Sequence, residues 1–182
     1  MMSKVLDCDK MELLSCHEGN LFLFKPTLFR QFPKSGNMHE MTLQQRIRFF
    51  FLYLHGYRVY VLANTENDIQ GCVTFANGGT YRYPFAGKND LICGPYYTMP
   101  KYRNQGIAFK LLSYVIRNHE KDFENIYAHV HHENIASVKC LRKVGFSEAG
   151  FLSVNKITRK CSRSENGLLI LMTYQNHLEK HI

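Results

Sequence analysis

Apolar residues recur at helical spacing in three windows of this chain, and short apolar runs bounded by turn residues lie between them. In the first window Leu43, Ile47, Phe50, Phe51 and Leu54 fall on one face, with Phe49 and Tyr53 off it. Thr42 and Gln45 are spaced for a capping box ahead of this stripe, and Gly56 follows as a stop. The spacing predicts a helix largely buried against a sheet; the alternative is that some of its aromatics line a pocket. In the second window Ile107, Leu111, Leu112, Val115 and Ile116 share a face, and in the third Ile135, Val138, Leu141 and Val144 do, closed by Gly145-Phe146.

The intervening runs read as strands. Leu21 to Pro26 is the first, after a polar stretch with room for a short lead-in strand, and residues 27–40 read as a loop or broken helix. Tyr57 to Ala63 and Gln70 to Ala76 are joined by the turn Asn64 to Asp68, and Gly78-Gly79 breaks or bulges the second of them before Tyr81 to Phe85. Gly87 to Asp90 turns into Leu91 to Thr98. Ile126 to Asn134 reads as a strand ending at an Asn before the third window, and its alternation puts Tyr127, His129 and His131 on one face and Ile126, Ala128 and Val130 on the other. Ser147 to Ile157 and Leu168 to Tyr174 close the chain, joined by a polar loop with Arg159, Lys160 and Arg163. That loop is either simply solvated or a contact for an anion.

The second window is where chemistry enters. Leu91 to Thr98, then Pro100-Lys101-Tyr102-Arg103-Asn104-Gln105-Gly106-Ile107-Ala108, reads as strand, tight turn and helix start. Such a turn aims several backbone N–H groups at one point, the positive end of the helix dipole adds to them, and a phosphate suits that place. Gly106 has no Cβ to block a close approach.

Arg103-x-x-Gly106-x-Ala108 in this setting resembles the acyl-CoA pyrophosphate loop of the GNAT superfamily, the GCN5-related N-acyltransferases. A strand ending at Asn134, then Ser137, a helix and Lys143-Val144-Gly145-Phe146 resembles that superfamily's second signature. The resemblance covers about residues 20–175 of a single domain, 1–182. It implies an α/β (α+β) fold: a mixed, mostly antiparallel sheet of about seven strands, helices on both faces, and splayed fourth and fifth strands holding acetyl-CoA. The implied reaction is acetyl-CoA-dependent N-acetyl transfer, by direct attack of a primary amine on the thioester. The acceptor is a protein or peptide amine or a small amine such as an amino sugar; a catalytically weak CoA-binding or interaction module is the alternative.

Carried over by position, Thr98, Arg103, Asn104, Gln105, Gly106, Ile107, Ala108 and Asn134 bind the cosubstrate. Two of these also have a plainer role: Asn134 suits the N-cap of the third helix, and Arg103 a solvated loop cation. Many superfamily members carry a Tyr where this chain has Leu141, and that Tyr protonates the departing thiolate. Leu141 has no proton to give, so Ser137, Cys140 or a water serves as acid, or the thiolate leaves unassisted. His129 occupies the position of a catalytic Glu in some protein N-terminal acetyltransferases, and an imidazole of ordinary pKa near ~6.5 accepts a proton at neutral pH. Catalytic candidates are therefore His129, as base, and Ser137; hydrogen-bonded structural roles are the alternatives.

Composition narrows the partners. The net charge of +8 attracts polyanions in general, but the cations are dispersed and no helix resembles a base-reading module, so nucleic acid is not expected as a direct partner. Cys8, Cys16, Cys72, Cys93, Cys140 and Cys161 include no C-x-x-C pair, which argues against zinc or a disulfide framework and for a reducing cytoplasm. No metal is expected: His131 and His132 are adjacent and so point apart, and no acidic or Cys partner has ligand spacing. The first twelve residues are too charged for a signal peptide, and the longest apolar run, Phe49 to Leu54, is too short to span a bilayer, so no membrane partner is expected. The oligomeric state is open between monomer and homodimer.

Overall fold

The computed structural model describes residues 11–14, 20–25, 47, 50, 53–118 and 122–175. Expectations for residues 27–40, for the Thr42 and Gln45 capping box, for Leu43, Phe49 and Phe51, and for Cys8 and Cys16 lie outside these. Among the described residues nine strands make a mixed, mostly antiparallel sheet. They are β1 (Glu12–Leu14), β2 (Asn20–Phe24), β3 (Arg58–Ala63), β4 (Ile69–Asn77), β5 (Leu91–Thr98), β6 (Asn125–His131), β7 (Ser147–Val154), β8 (Cys161–Ser164) and β9 (Leu169–Gln175). Two described helices are α1 (Ile107–Arg117) and α2 (Ile135–Val144). By contacts the chain forms two compact units, one of Met1–Ala76 and Pro95–Arg117, the other of Asn77–Gly94 and Asn118–Ile182.

In the first unit β1, β2, β3 and β4 pair antiparallel in chain order. Phe22, Phe24, Val59, Val61 and Ala63 alternate along β2 and β3 and pack with Tyr57 as one buried cluster. The Asn64–Asp68 turn is fixed by its own asparagine, because Asn64 Oδ1 accepts from the amides of Glu66 (3.0 Å) and Asp68 (2.8 Å). α1 buries Ile107, Leu111, Leu112, Val115 and Ile116, the stripe read from the sequence.

In the second unit the start of β5 runs parallel to β6, pairing Leu91, Ile92 and Cys93 with Ile126, Tyr127 and Ala128. β6 then pairs antiparallel with β9, and β9 with β7, which pairs with β8. A buried Asp90 anchors the entry to both central strands: its carboxylate accepts from Gly87 N (2.7 Å), Asn125 N (3.1 Å) and Asn125 Nδ2 (2.9 Å).

Three expectations are corrected. Tyr81 to Phe85 does not continue a strand: residues 78–90 run as successive turns, Tyr83 N–H bonding Thr80 O and Ala86 N–H bonding Tyr83 O. Pro84 has no N–H to offer a ladder, which explains the turns better than a bulge does. The polar loop after Val154 contains a strand of its own, β8, so with β1 the sheet has nine strands rather than about seven. Ile47 and Leu54, expected on a buried stripe, are exposed, while Tyr53, off it, is half-buried. Helical periodicity shows which side chains share a face but not what covers it.

Candidate active site

In the first unit, the chain leaves β5 at Thr98, makes a short 3-10 turn at Pro100–Tyr102 and enters α1 at Ile107. The turn is tied to the β3–β4 hairpin at three points. Met99 N–H donates to Gln70 O (2.9 Å), Lys101 Nζ pairs with Asp68 Oδ2 (2.7 Å), and Asn64 Nδ2 donates to Tyr102 Oη (3.3 Å). The Asp68 hydrogen bond raises the Lys101 pKa. Gln105 Nε2 reaches back to Lys101 O (3.1 Å), so the loop braces itself as well.

Residues 103–106 are exposed and Ile107 is buried beneath them. The helical ladder opens with Lys110 N–H on Gly106 O (3.0 Å), so the amides of Gly106, Ile107 and Ala108 precede it, unclaimed by the helix. α1 has no acidic residue in its first turn to neutralise this positive end. Gly106 takes φ +74°, and a Cβ built on it meets no atom within 4 Å. An uncompensated set of amides, with open space above the glycine, fits a diphosphate. Arg103 lies over the Tyr97 ring (5.6 Å), with Nε 3.4 Å from Thr98 O and a terminal nitrogen 3.4 Å from Tyr97 Oη. Thr98 and residues 103–108 are thus brought together as the sequence suggests.

Gly71, which sequence reasoning passed over, sets this geometry. A Cβ there would stand 2.9 Å from Tyr97 O and 3.3 Å from Ile107 Cγ2, so only glycine lets β4 lie this close to the end of β5 and the head of α1. A glycine inside a strand pattern was the available signal.

In the second unit, Asn134 caps α2, its Oδ1 accepting from Ser137 N (3.2 Å). The plain N-cap role is therefore present. Leu141 is 1% exposed in the core, and Cys140 and Ser137 are half-buried on the same helix. On β6 the alternation holds: Ile126, Ala128 and Val130 are buried, while Tyr127, His129 and His131 are half-buried on the other face. Tyr83 packs on His129 with ring centroids 6.0 Å apart, and Phe85 meets Tyr127 edge-on at 5.4 Å. The Tyr83 contact joins residues 46 positions apart and has no local signature (83 to 129). His131 turns to Glu133 (3.6 Å) and, contrary to the expectation that adjacent residues point apart, stacks on His132, because the chain leaves β6 at His131. Among the described residues no group of three or more His, Cys, Asp or Glu is arranged to hold a metal.

Residues 24–146 match the profile of the Acetyltransferase (GNAT) family, more than half of the chain, and the protein belongs to that family. No curated protein matches it. Among solved structures, it is similar to yncA of Salmonella typhimurium, provisionally assigned as an acetyltransferase and solved with acetyl-CoA. The TM-score is 0.55 at 21% identity, covering 81% of this chain and 79% of that one. A ribosomal-protein-alanine N-acetyltransferase from Brucella melitensis gives 0.54 at 23% identity, covering 75% and 80%. A phosphinothricin acetyltransferase from Sinorhizobium meliloti, solved with acetyl-CoA, gives 0.50 at 20% identity, covering 72% and 68%. These likenesses establish the fold. Among the described residues no helix is long and apolar enough to cross a membrane.

Proposed function

We propose that this protein transfers the acetyl group of acetyl-CoA to the primary amine of an acceptor, forming an amide. The observation that carries the reading is the head of α1: the amides of Gly106, Ile107 and Ala108 precede the first helical bond, with no acidic residue in the first turn and open space over Gly106. In this reading they hold the diphosphate of the cosubstrate, and Arg103 adds charge. Thr98 offers strand-end backbone to the pantetheine arm, and Asn134, beyond its cap, contacts the same arm.

The neutral amine attacks the thioester carbonyl, the C–N bond forms and the C–S bond breaks, and the amine's proton must leave. His129 takes that proton directly or through a water. Leu141 supplies no acid, so the thiolate is protonated by Ser137, Cys140 or water, or departs as the anion. The free state of Cys72, Cys93, Cys140 and Cys161 fits a reducing, cytoplasmic setting.

The buried Leu141 favours one second reading, a CoA-binding module with weak catalysis. Chromatographic measurement of CoA release with a panel of amines separates the two. Acetyl-CoA-dependent release with at least one amine supports the enzyme, tight CoA binding without release supports the module, and no CoA binding overturns both.

A further inference from the structure

The second unit carries a basic and aromatic cluster that the reaction outlined above does not use. Arg82 lies over the Tyr83 ring at 5.3 Å, and Arg163 over the Phe85 ring at 5.9 Å. Tyr83 and Phe85 contact each other at 6.1 Å, and on their other sides they meet His129 and Tyr127. Two guanidinium groups therefore stand one ring away from the candidate base and its strand neighbour. Lys160 joins them at the edge, over the exposed Tyr81 ring at 5.4 Å.

The cluster is fixed in place. Cys161 N–H donates to Arg82 O (2.8 Å), joining β8 to the 78–90 turns, and Tyr83, Cys161 and Leu171 are buried in one core cluster beneath it. Arg82 Nε and Ser164 Oγ are buried with no hydrogen-bond partner among the described residues. A buried guanidinium nitrogen without an acceptor is costly.

Four carboxylates of the second unit have partners of their own: Asp90 with Gly87 and Asn125, Glu124 with Asn89, Glu133 with His131, and Glu148 with Arg142. Glu165, exposed and two residues beyond Arg163, is not among the ion pairs of the described residues.

We propose that Arg82 and Arg163, with Lys160 at the edge, bind an anionic group of the acceptor, so that the protein prefers amines that also carry a phosphate or carboxylate. The proposal rests on the acetyl-transfer reading and names its acceptor class. Guanidiniums held on aromatic faces suit oxyanions, because each planar fork donates two parallel hydrogen bonds. The same positive charges repel a polyamine approaching His129, so selectivity arises from exclusion as well as attraction.

The test compares amines matched in all but their anionic group. O-phosphoethanolamine against ethanolamine reads phosphate, glutamate against glutamine reads carboxylate, and spermidine reads repulsion. At least one anionic member should exceed its neutral match in kcat/KM by about tenfold or more, and spermidine should be the poorest. The Arg82→Ala, Arg163→Ala double variant should raise KM for that substrate about ten- to a hundredfold, with kcat and acetyl-CoA affinity little changed; Arg163→Lys should recover part of the loss.

Direct titration of the full chain with O-phosphoethanolamine and glutamate, without acetyl-CoA, gives a readout independent of turnover. Saturable binding lost in the double variant supports the proposal even if no amine in the panel is acetylated. Equal use of both members of each pair, a preference for spermidine, or no saturable binding of either anion overturns it and leaves acetyl transfer standing. Binding of single-stranded RNA through these arginines, with no anionic preference among amines, also overturns it. Failure to bind CoA counts against the acetyl-transfer reading alone.

Discussion

Gly106→Ala offers the sharpest test of the α1 head, because the structure separates its effect on folding from its effect on binding. Gly106 takes φ +74°, a left-handed conformation that costs a residue with a Cβ about 1–2 kcal/mol. The new methyl meets nothing within 4 Å in the free protein, so no steric cost is added. For a chain of this length each kcal/mol lowers Tm by about 2–4 °C, and the expected fall is about 2–8 °C. A diphosphate seated on the amides of Gly106, Ile107 and Ala108 needs the space that methyl would take. Losing one charge-assisted hydrogen bond is worth about 1.5–3 kcal/mol, which weakens CoA about ten- to over a hundredfold.

Gly150→Ala is the control. Gly150 has φ +112° and equally open surroundings, but it lies on β7 and belongs to neither the loop nor α1. It should lose comparable or greater stability and no CoA affinity. Gly71→Ala differs from both, because its methyl meets Tyr97 O at 2.9 Å before any ligand binds, and it should lower stability and affinity together. Calorimetric titration with CoA and thermal denaturation read the two quantities. A Gly106→Ala protein that binds CoA as tightly as wild type would refute the diphosphate assignment, whatever its Tm.

Three further outcomes are expected. His129→Ala should lower kcat at saturating substrates about a hundredfold or more while leaving acetyl-CoA affinity intact, and steady-state kinetics showing unchanged turnover would remove His129 as the base. Asn134→Ala should cost about 1 kcal/mol in chemical denaturation through loss of the cap on Ser137 N, whereas Asn134→Asp keeps the cap. If the side-chain amide also touches the pantetheine arm, Asn134→Asp should raise KM for acetyl-CoA at unchanged stability; no change in KM leaves Asn134 a cap alone. Burial pushes the Cys72 thiol from its ordinary 9.0 up to about 11, so the folded state keeps a proton that the unfolded state releases. That stability is fully present below pH 9 and is lost as pH rises towards 11. Cys72→Ala should shallow this alkaline decline in denaturation curves, though buried Cys93 continues to contribute in the same direction; an unaltered slope would contradict the assignment.

Features that depend on near neighbours were legible along the chain before any folding was considered. Five apolar residues at helical spacing set the buried face of α1, and a glycine just ahead of them set its head. Strict alternation in β6 placed Tyr127, His129 and His131 on one face, and Asn134 announced the cap of α2. Backbone hydrogen bonds within a few residues and side-chain periodicity carry such features, and both are written in order along the chain.

Which distant residues meet was settled only in the folded molecule. A glycine within a strand pattern at position 71 signals a close approach but not that Tyr97 O makes it, and a run such as Tyr81 to Phe85 has strand-like composition until Pro84 and the packing on Tyr127 and His129 turn it into a cover for β6. The placing of Arg163, on β8, over Phe85 likewise follows from β8 closing against the 78–90 turns, which the local pattern of neither stretch holds. Contacts of this kind are fixed by the shape of the packed core, which depends on all its contributors at once, and a single stretch of sequence holds only one of them.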